Sequence, residues 1–325
     1  MSFENLFTDS EVKETLKRII QYEEEREREF KTNPIYEGLD TKPYWSLMDI
    51  PAEWKVVRKL IFAGIVERAS KKWYILKNRE SVKKALEEYE KKIEERQQKA
   101  LELTTQGLPE DLFDVIEGYD DLKRVIKMSL QADEPVHILL VGSPGTAKTL
   151  FLMELERLGG RFITAGTATK VGIRDIIYEE LPRILIIDEI DKISDSDDLS
   201  SLLTWMESGR IIIAKHGLRD ERRGKGWVFA ACNRLKKIPP ELIDRFEVFH
   251  LKPYTKEEFI RVVTGYLTKR KKISEDLARY IAERVQEYSL SVREARRIAS
   301  MAKTKEDVDF LIKTKKKYIG SETYG

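Results

Sequence analysis

Val136-His137-Ile138-Leu139-Leu140-Val141-Gly142-Ser143-Pro144-Gly145-Thr146-Ala147-Lys148-Thr149 decides the fold of this chain. The first six residues are nearly all apolar and lie between Pro135 and Gly142, the pattern of a short parallel strand covered on both faces. A Gly-rich turn follows, then the start of a helix. The turn matches the phosphate-binding loop pattern except that Ala147 stands where the strict pattern has its second Gly. Ala is expected to cost little there, because that position enters a right-handed helix and needs no positive φ.

The residue types explain the expected chemistry. Gly142 and Gly145 let the backbone of Ser143, Pro144, Thr146 and Ala147 curl so that N–H groups point at phosphate oxygens. The following helix, with Leu150 in its first turn, adds its positive N-terminal end. Lys148 is expected to place a full charge on the β- and γ-phosphates of ATP, and Thr149 a hydroxyl on Mg²⁺. A second signal is Ile184-Leu185-Ile186-Ile187-Asp188-Glu189, four apolar residues leading into two carboxylates. Open parallel sheets place ligands at such carboxyl ends. Asp188 is the candidate for the Mg²⁺ shell and Glu189 for polarising the attacking water.

Composition bounds the rest. With 325 residues the chain is long enough for two or three domains, and 41% hydrophobic residues make a folded protein the expectation. Charged residues reach 36% against a usual quarter, a bias that resembles hyperthermophile proteins. Net charge is only +2, so a nucleic-acid site has to be a local patch. The single cysteine, Cys232, excludes an intrachain disulfide. His137, His216 and His250 show no zinc-ligand spacing. No apolar run approaches a membrane span and Met1–Ser10 carries no signal-peptide pattern, so a cytoplasmic compartment and no membrane contact are expected.

Upstream of the loop, residues 10–30 read as a charged helix capped by Ser10, with Val12, Leu16, Ile19 and Ile20 on one stripe. Pro51 to Ala63 reads as a helix, and Ile65-Val66 and Trp73–Leu76 as two strands around a polar tip, an order that resembles a winged helix. Thr41–Glu80 holds nine Lys or Arg against four Asp or Glu. The functional reading is DNA contact, with Lys55, Arg58 and Lys59 on the helix and Arg68, Lys71 and Lys72 on the wing. A winged helix used for protein contacts, or a solvated basic face, stands beside it. Ser81–Ala100 reads as a connector helix, with a boundary at Thr104–Gly107. From Leu108 strands and helices alternate: Val136–Val141, Arg161–Ala165, Ile184–Ile187, Val228–Ala231 and Val248–Leu251 are the expected strands. Beyond Thr255 three helices are expected, 255–270, 274–288 and 292–303.

Residues 108–303 resemble an AAA+ ATPase module. Ile116-Glu117-Gly118-Tyr119 resembles the segment over the adenine, so Ile116 and Gly118 join the nucleotide-site candidates. Asn233, just after Val228–Cys232, matches sensor 1. Pro239–Phe246 matches the segment carrying the arginine finger, here Arg245, and Ser291-Val292-Arg293-Glu294 matches sensor 2, here Arg293. The resemblance implies an α/β fold, a P-loop parallel sheet with a C-terminal helical lid, plus an N-terminal, mainly helical winged-helix-like domain. The corresponding domains are 1–103, 108–253 and 254–325. It also implies a homo-oligomer, a hexameric ring with Arg245 acting in trans.

Met206–Gly217 is similar to the presensor-1 hairpin of the minichromosome-maintenance (MCM) helicases, which also share the Ala at position 147. The short span from Phe162 to Glu180, and Tyr254–Glu258, look more like branch-migration motors of the RuvB type. Those carry their winged helix at the C-terminus, whereas the winged-helix-like part here is N-terminal. Three functions stay open: a DNA-stimulated ring motor, a MoxR-like chaperone, and an ATP-switched DNA-binding regulator. A chaperone pore loop usually presents an aromatic residue. The expected hairpin tip, Lys215 to Trp227, is basic instead, with Lys215, Arg219, Arg222, Arg223 and Lys225 against Asp220 and Glu221. That favours DNA as partner.

Overall fold

The computed structural model describes residues 6–37, 41–165, 172–193, 195–215 and 218–318, and among these the side chains outside 103–106 and 213–220. In chain order the elements begin with α1 (Ser10–Thr32), α2 (Trp54–Phe62), β1 (Val66–Arg68), β2 (Tyr74–Leu76) and α3 (Arg79–Gln106). Next come α4 (Asp120–Gln131), β3 (His137–Val141), α5 (Lys148–Arg157), β4 (Arg161–Thr164), α6 (Ile173–Glu180), β5 (Ile184–Asp188) and α7 (Ser196–Ser208). The hairpin β6 (Arg210–Lys215) and β7 (Leu218–Arg223) precedes β8 (Trp227–Cys232), α8 (Pro240–Ile243) and β9 (Phe246–His250). Among the described residues four helices follow: α9 (Lys256–Lys271), α10 (Glu275–Gln286), α11 (Val292–Met301) and α12 (Lys305–Tyr318).

The chain forms two compact units, one of residues 1–95 and 169–181, the other of 96–168 and 182–325. In the first, α1 begins one residue after its true cap. Asp9 accepts from the N–H groups of Glu11 and Val12 at 3.1 and 3.3 Å, so Asp9 and not the expected Ser10 satisfies the free donors of the first turn. Val12, Leu16 and Ile19 pack with Val56, Val57 and Leu60 of α2 and with Tyr74 and Leu76 of β2. Strands β1 and β2 pair antiparallel, and Trp45 bridges Tyr74 beside them. Helix α6 belongs to this unit although β4 and β5 of the other unit flank it in sequence. Lys13 of α1 donates to Glu179, and the Tyr89 hydroxyl meets the buried Glu180 at 3.5 Å.

In the second unit β4-β5-β8-β3-β9 form one parallel sheet in that spatial order. Every residue of β3, β5 and β8 is buried, which is why these strands read as continuous apolar runs. Edge strand β9 is half polar. Two expectations need correcting. The stretch expected as a basic tip is mostly strand: β6 and β7 pair over six residues, Arg210 opposite Arg223 to Lys215 opposite Leu218. Leu218–Arg223 has no apolar alternation, so only its partner strand makes it β. The C-terminal helices number four among the described residues, not three. The fourth, α12, is started by Thr304 and Asp307: the Thr304 hydroxyl accepts from the Asp307 N–H, and the Asp307 carboxylate from the N–H groups of Lys303 and Thr304. It buries Val308 and Ile312 under a lysine-rich surface that hides the stripe in the sequence.

Candidate nucleotide site

The C-terminal ends of β3, β8 and β5 lie side by side, with Val141 opposite Cys232 and Ile187 opposite Ala230. The three sequence signals therefore share one edge: the loop after β3, Asn233 after β8, and Asp188-Glu189 at the end of β5.

Gly142 donates its N–H to the Cys232 carbonyl at 3.2 Å, and a Cβ on it would lie 2.7 Å from the Leu251 carbonyl oxygen. No side chain fits. Gly145 has a φ of 84°, the left-handed conformation that favours glycine. The loop is tied to the segment that follows β9: Thr146 bridges Pro253, and the Tyr254 N–H donates to the Gly145 carbonyl. Ala147 has a φ of −66° and is fully buried, so the departure from the strict pattern costs no backbone strain. Ser143 and Pro144 are exposed on the loop, Thr149 is half-buried, and Leu150 packs into the core.

Lys148 is buried and turned in on its own loop. Its ammonium donates to the carbonyls of Gly142 and Ser143 and, at 3.0 Å, to the Thr146 hydroxyl. Burial pulls its pKa below the ordinary lysine range. The Asp188 carboxylate is also buried. One oxygen accepts from the Glu189 N–H at 3.0 Å, and the other from the Arg293 guanidinium at the start of α11. Glu189 adopts a left-handed φ of 56°, and its carboxylate pairs with Lys192 at 2.8 Å. The arrangement fits Mg²⁺ and a polyphosphate. A buried ammonium held only by neutral oxygens can turn to an anion, and a buried carboxylate paired with one cation can exchange it for another.

Asn233 is exposed at the strand end. Arg245 precedes β9, whose first residue pairs with the first residue of β3, so it sits at the opposite end of the sheet from the phosphate loop. Five strand residues separate the two ends, about 16 Å at the usual rise. Its side chain is 40% exposed, and its guanidinium lies 3.3 Å from Glu207.

The segment before α4 is shaped by two non-glycine residues in the left-handed region, Phe113 and Tyr119, and by Gly118. Ile116 is buried, and the Tyr119 hydroxyl donates to the Lys252 carbonyl at 2.8 Å. Sequence reading missed what anchors this segment. Glu154 of α5, only 2% exposed, accepts from the Phe113 N–H and from Arg270 of α9. Arg270 also reaches Asp111 and Asp114, and Arg157 pairs with Asp111 and Glu154. An acid on the buried side of a P-loop helix and an Arg between two lysines, Lys269 and Lys271, at the end of a later helix were the available signals. Lys192, three residues after Glu189, was also missed.

The candidate DNA contacts divide. Lys55 pairs with Glu53 and Glu11, and Lys59 with Asp9 at 2.7 Å, whereas Arg58, Lys71 and Lys72 are exposed. In the hairpin, Arg223 and Arg210 both bind Glu221, holding its carboxyl down at about 2. Arg222 is half-buried, and the side chains of Lys215 and Arg219 lie outside the described residues, as does His216.

Residues 138–254 match the family described as ATPase family associated with various cellular activities (AAA), so this stretch is an AAA ATPase module. The DNA replication licensing factor mcm2 of Xenopus tropicalis is 27% identical over 211 residues, covering 50% of this chain and 24% of that protein. The minichromosome maintenance protein MCM of Saccharolobus solfataricus is 26% identical over 217 residues, covering 51% and 32%. The chain thus spans about a quarter to a third of the length of these relatives. A solved structure of the Thermotoga maritima RuvB Holliday junction branch migration motor matches with a TM-score of 0.44 and 18% identity, over 63% of this chain and 72% of that one. Among the described residues no helix is long and apolar enough to cross a membrane.

Proposed function

We propose that this chain, through its AAA+ module, hydrolyses ATP as one subunit of a ring motor that acts on DNA. The observation that carries the proposal is the convergence of Lys148, Asp188, Glu189 and Arg293 at the C-terminal end of the sheet, with Arg245 at the opposite end. The backbone from Gly142 to Ala147 and the Lys148 ammonium would hold the phosphates. Magnesium, held by Thr149 and Asp188, would neutralise charge on the β- and γ-phosphates. Glu189, released from Lys192, would accept a proton from the attacking water, and Asn233 would orient that water. Arg293 must leave Asp188 before a metal takes that carboxylate, which frees its guanidinium for the γ-phosphate. Arg245, about 16 Å from its own phosphate loop by strand rise, would serve a neighbouring subunit, a role its distance from that loop supports.

DNA as substrate is supported by relatives named for DNA replication and by the basic hairpin that leads through β8 into Asn233. The test measures ATPase rate without polymer and with single-stranded, duplex and four-way-junction DNA. Stimulation is expected with wild type and not with Lys148→Ala or Glu189→Gln. Arg245→Ala should bind ATP yet hydrolyse it on the order of 10³-fold more slowly, with partial recovery on mixing with Lys148→Ala subunits. A rate indifferent to every DNA would turn the reading toward protein remodelling.

A further inference from the structure

Helix α2 has two unlike faces. Val56, Val57 and Leu60 are buried in the first unit's core. On the outer face Trp54, Arg58 and Phe62 follow one another at four-residue steps. Trp54 is 48% exposed and Phe62 89%, and Trp73, just before β2, is 46%. The Trp54 ring lies 6.4 Å from that of Tyr74, which sets the start of α2 beside the β1–β2 hairpin. Single exposed apolar residues need no explanation; aromatic residues lined up with an arginine do.

The charges on this face are not those the sequence promises. Lys55 pairs with its neighbour Glu53 and with Glu11, and Lys59 with Asp9; the pairs to Glu11 and Asp9 join α2 to the start of α1. Arg58 makes no ion pair among the described residues, and neither do Lys71 and Lys72 at the hairpin tip. The tip is shaped for display: the Arg68 guanidinium donates to the carbonyls of Ser70 and Lys71, tying the turn together.

A duplex groove suits this face poorly. Groove edges offer mainly hydrogen-bonding groups, with the thymine methyl as the apolar exception, so two exposed Trp rings and a Phe would find few partners there. Unpaired bases offer π faces instead. The spacing also fits. Four residues of helix rise about 6 Å, close to twice the roughly 3.4 Å step of stacked bases, so one base fits between consecutive planar groups. Guanidinium is itself planar and stacks on aromatic rings.

We propose that the outer face of α2 binds single-stranded nucleic acid, stacking bases on Trp54, Arg58 and Phe62 and placing phosphates against Lys71 and Lys72. This rests on the DNA reading above for the polymer, and adds its strandedness and the residues that recognise it. The test titrates the full chain with labelled oligothymidylate of about twenty nucleotides, and with a duplex of equal length, at several salt concentrations. Trp54→Ala and Phe62→Ala should each weaken single-strand binding by on the order of 5- to 100-fold, with the salt slope and duplex affinity unchanged. Trp54→Phe should retain most of the affinity, which separates stacking from misfolding. Arg58→Ala should lower the affinity, and Lys71→Ala or Lys72→Ala should each lower the salt slope by about 0.7. Unchanged single-strand affinity in the aromatic variants, with DNA still stimulating the ATPase, overturns this proposal and leaves the motor reading standing. Equal losses for both polymers overturn the strand preference. If the wild-type chain binds neither polymer and no DNA stimulates it, both readings fall and the face belongs to a protein partner.

Discussion

Arg270→Ala tests the join between α9 and the nucleotide-binding core. The Glu154 carboxylate is 2% exposed and accepts four N–H groups: Phe113 and Arg157 at 3.2 Å, and Arg270 at 2.8 and 2.9 Å. The substitution removes two donors and the closer of two cations. Stranding a buried partner costs about 3–5 kcal/mol, and the Arg157 that remains places this case near the lower end. Asp111 and Asp114, 48% and 30% exposed, stay hydrated, so their pairs with Arg270 add at most about 1 kcal/mol. A loss of about 3 kcal/mol is expected in denaturant unfolding of the second unit. Glu154→Gln keeps an acceptor for the Phe113 N–H without the charge, so the double variant should lose clearly less than the sum of the singles. Phe113 lies three residues before Ile116 on the segment expected over the adenine, so KM for ATP should rise several-fold while kcat changes little. A loss under about 1 kcal/mol, or strict additivity in the double variant, would refute the claim that the buried carboxylate needs Arg270.

Two further predictions concern the loop and the first unit. Gly142→Ala puts a Cβ 2.7 Å from the backbone oxygen of Leu251, so ATP affinity should fall at least about tenfold in equilibrium binding; wild-type affinity would show that the loop can shift without loss. Glu23 is buried beside Arg79 and accepts from the Leu76 N–H at 2.7 Å, and burial pushes its pKa up to about 7 from 4.5. The folded state then holds this proton more tightly than the unfolded one. The stabilisation is fully present below pH 4.5 and is lost as pH rises through 7. Glu23→Gln should remove that slope and leave the first unit more stable than wild type at pH 8, by on the order of 3 kcal/mol, followed by tryptophan fluorescence in denaturant. Parallel pH profiles for the two proteins would sink it.

Much of the nucleotide site was legible because its chemistry is local. Phosphate binding needs a strand, a glycine turn and a helix in immediate succession, and Gly142–Thr149 supplies all three. Strands buried on both faces have to be apolar throughout, so β3, β5 and β8 announced themselves, and Asp188-Glu189 followed from the abrupt end of one of them. Tertiary structure decided whatever depends on a partner distant in sequence. Strand β7 is polar and exists through pairing with β6. Glu154 and Arg270 stand 116 residues apart and meet only after α9 packs on the core. Lys55 and Lys59 counted as free cations until the fold brought Asp9 and Glu11 to them, leaving Arg58 between two exposed rings. Composition counts charges one at a time, and folding pairs them. The sequence by itself therefore determined the candidate phosphate loop, while only the structure decided which charges remain free for another molecule.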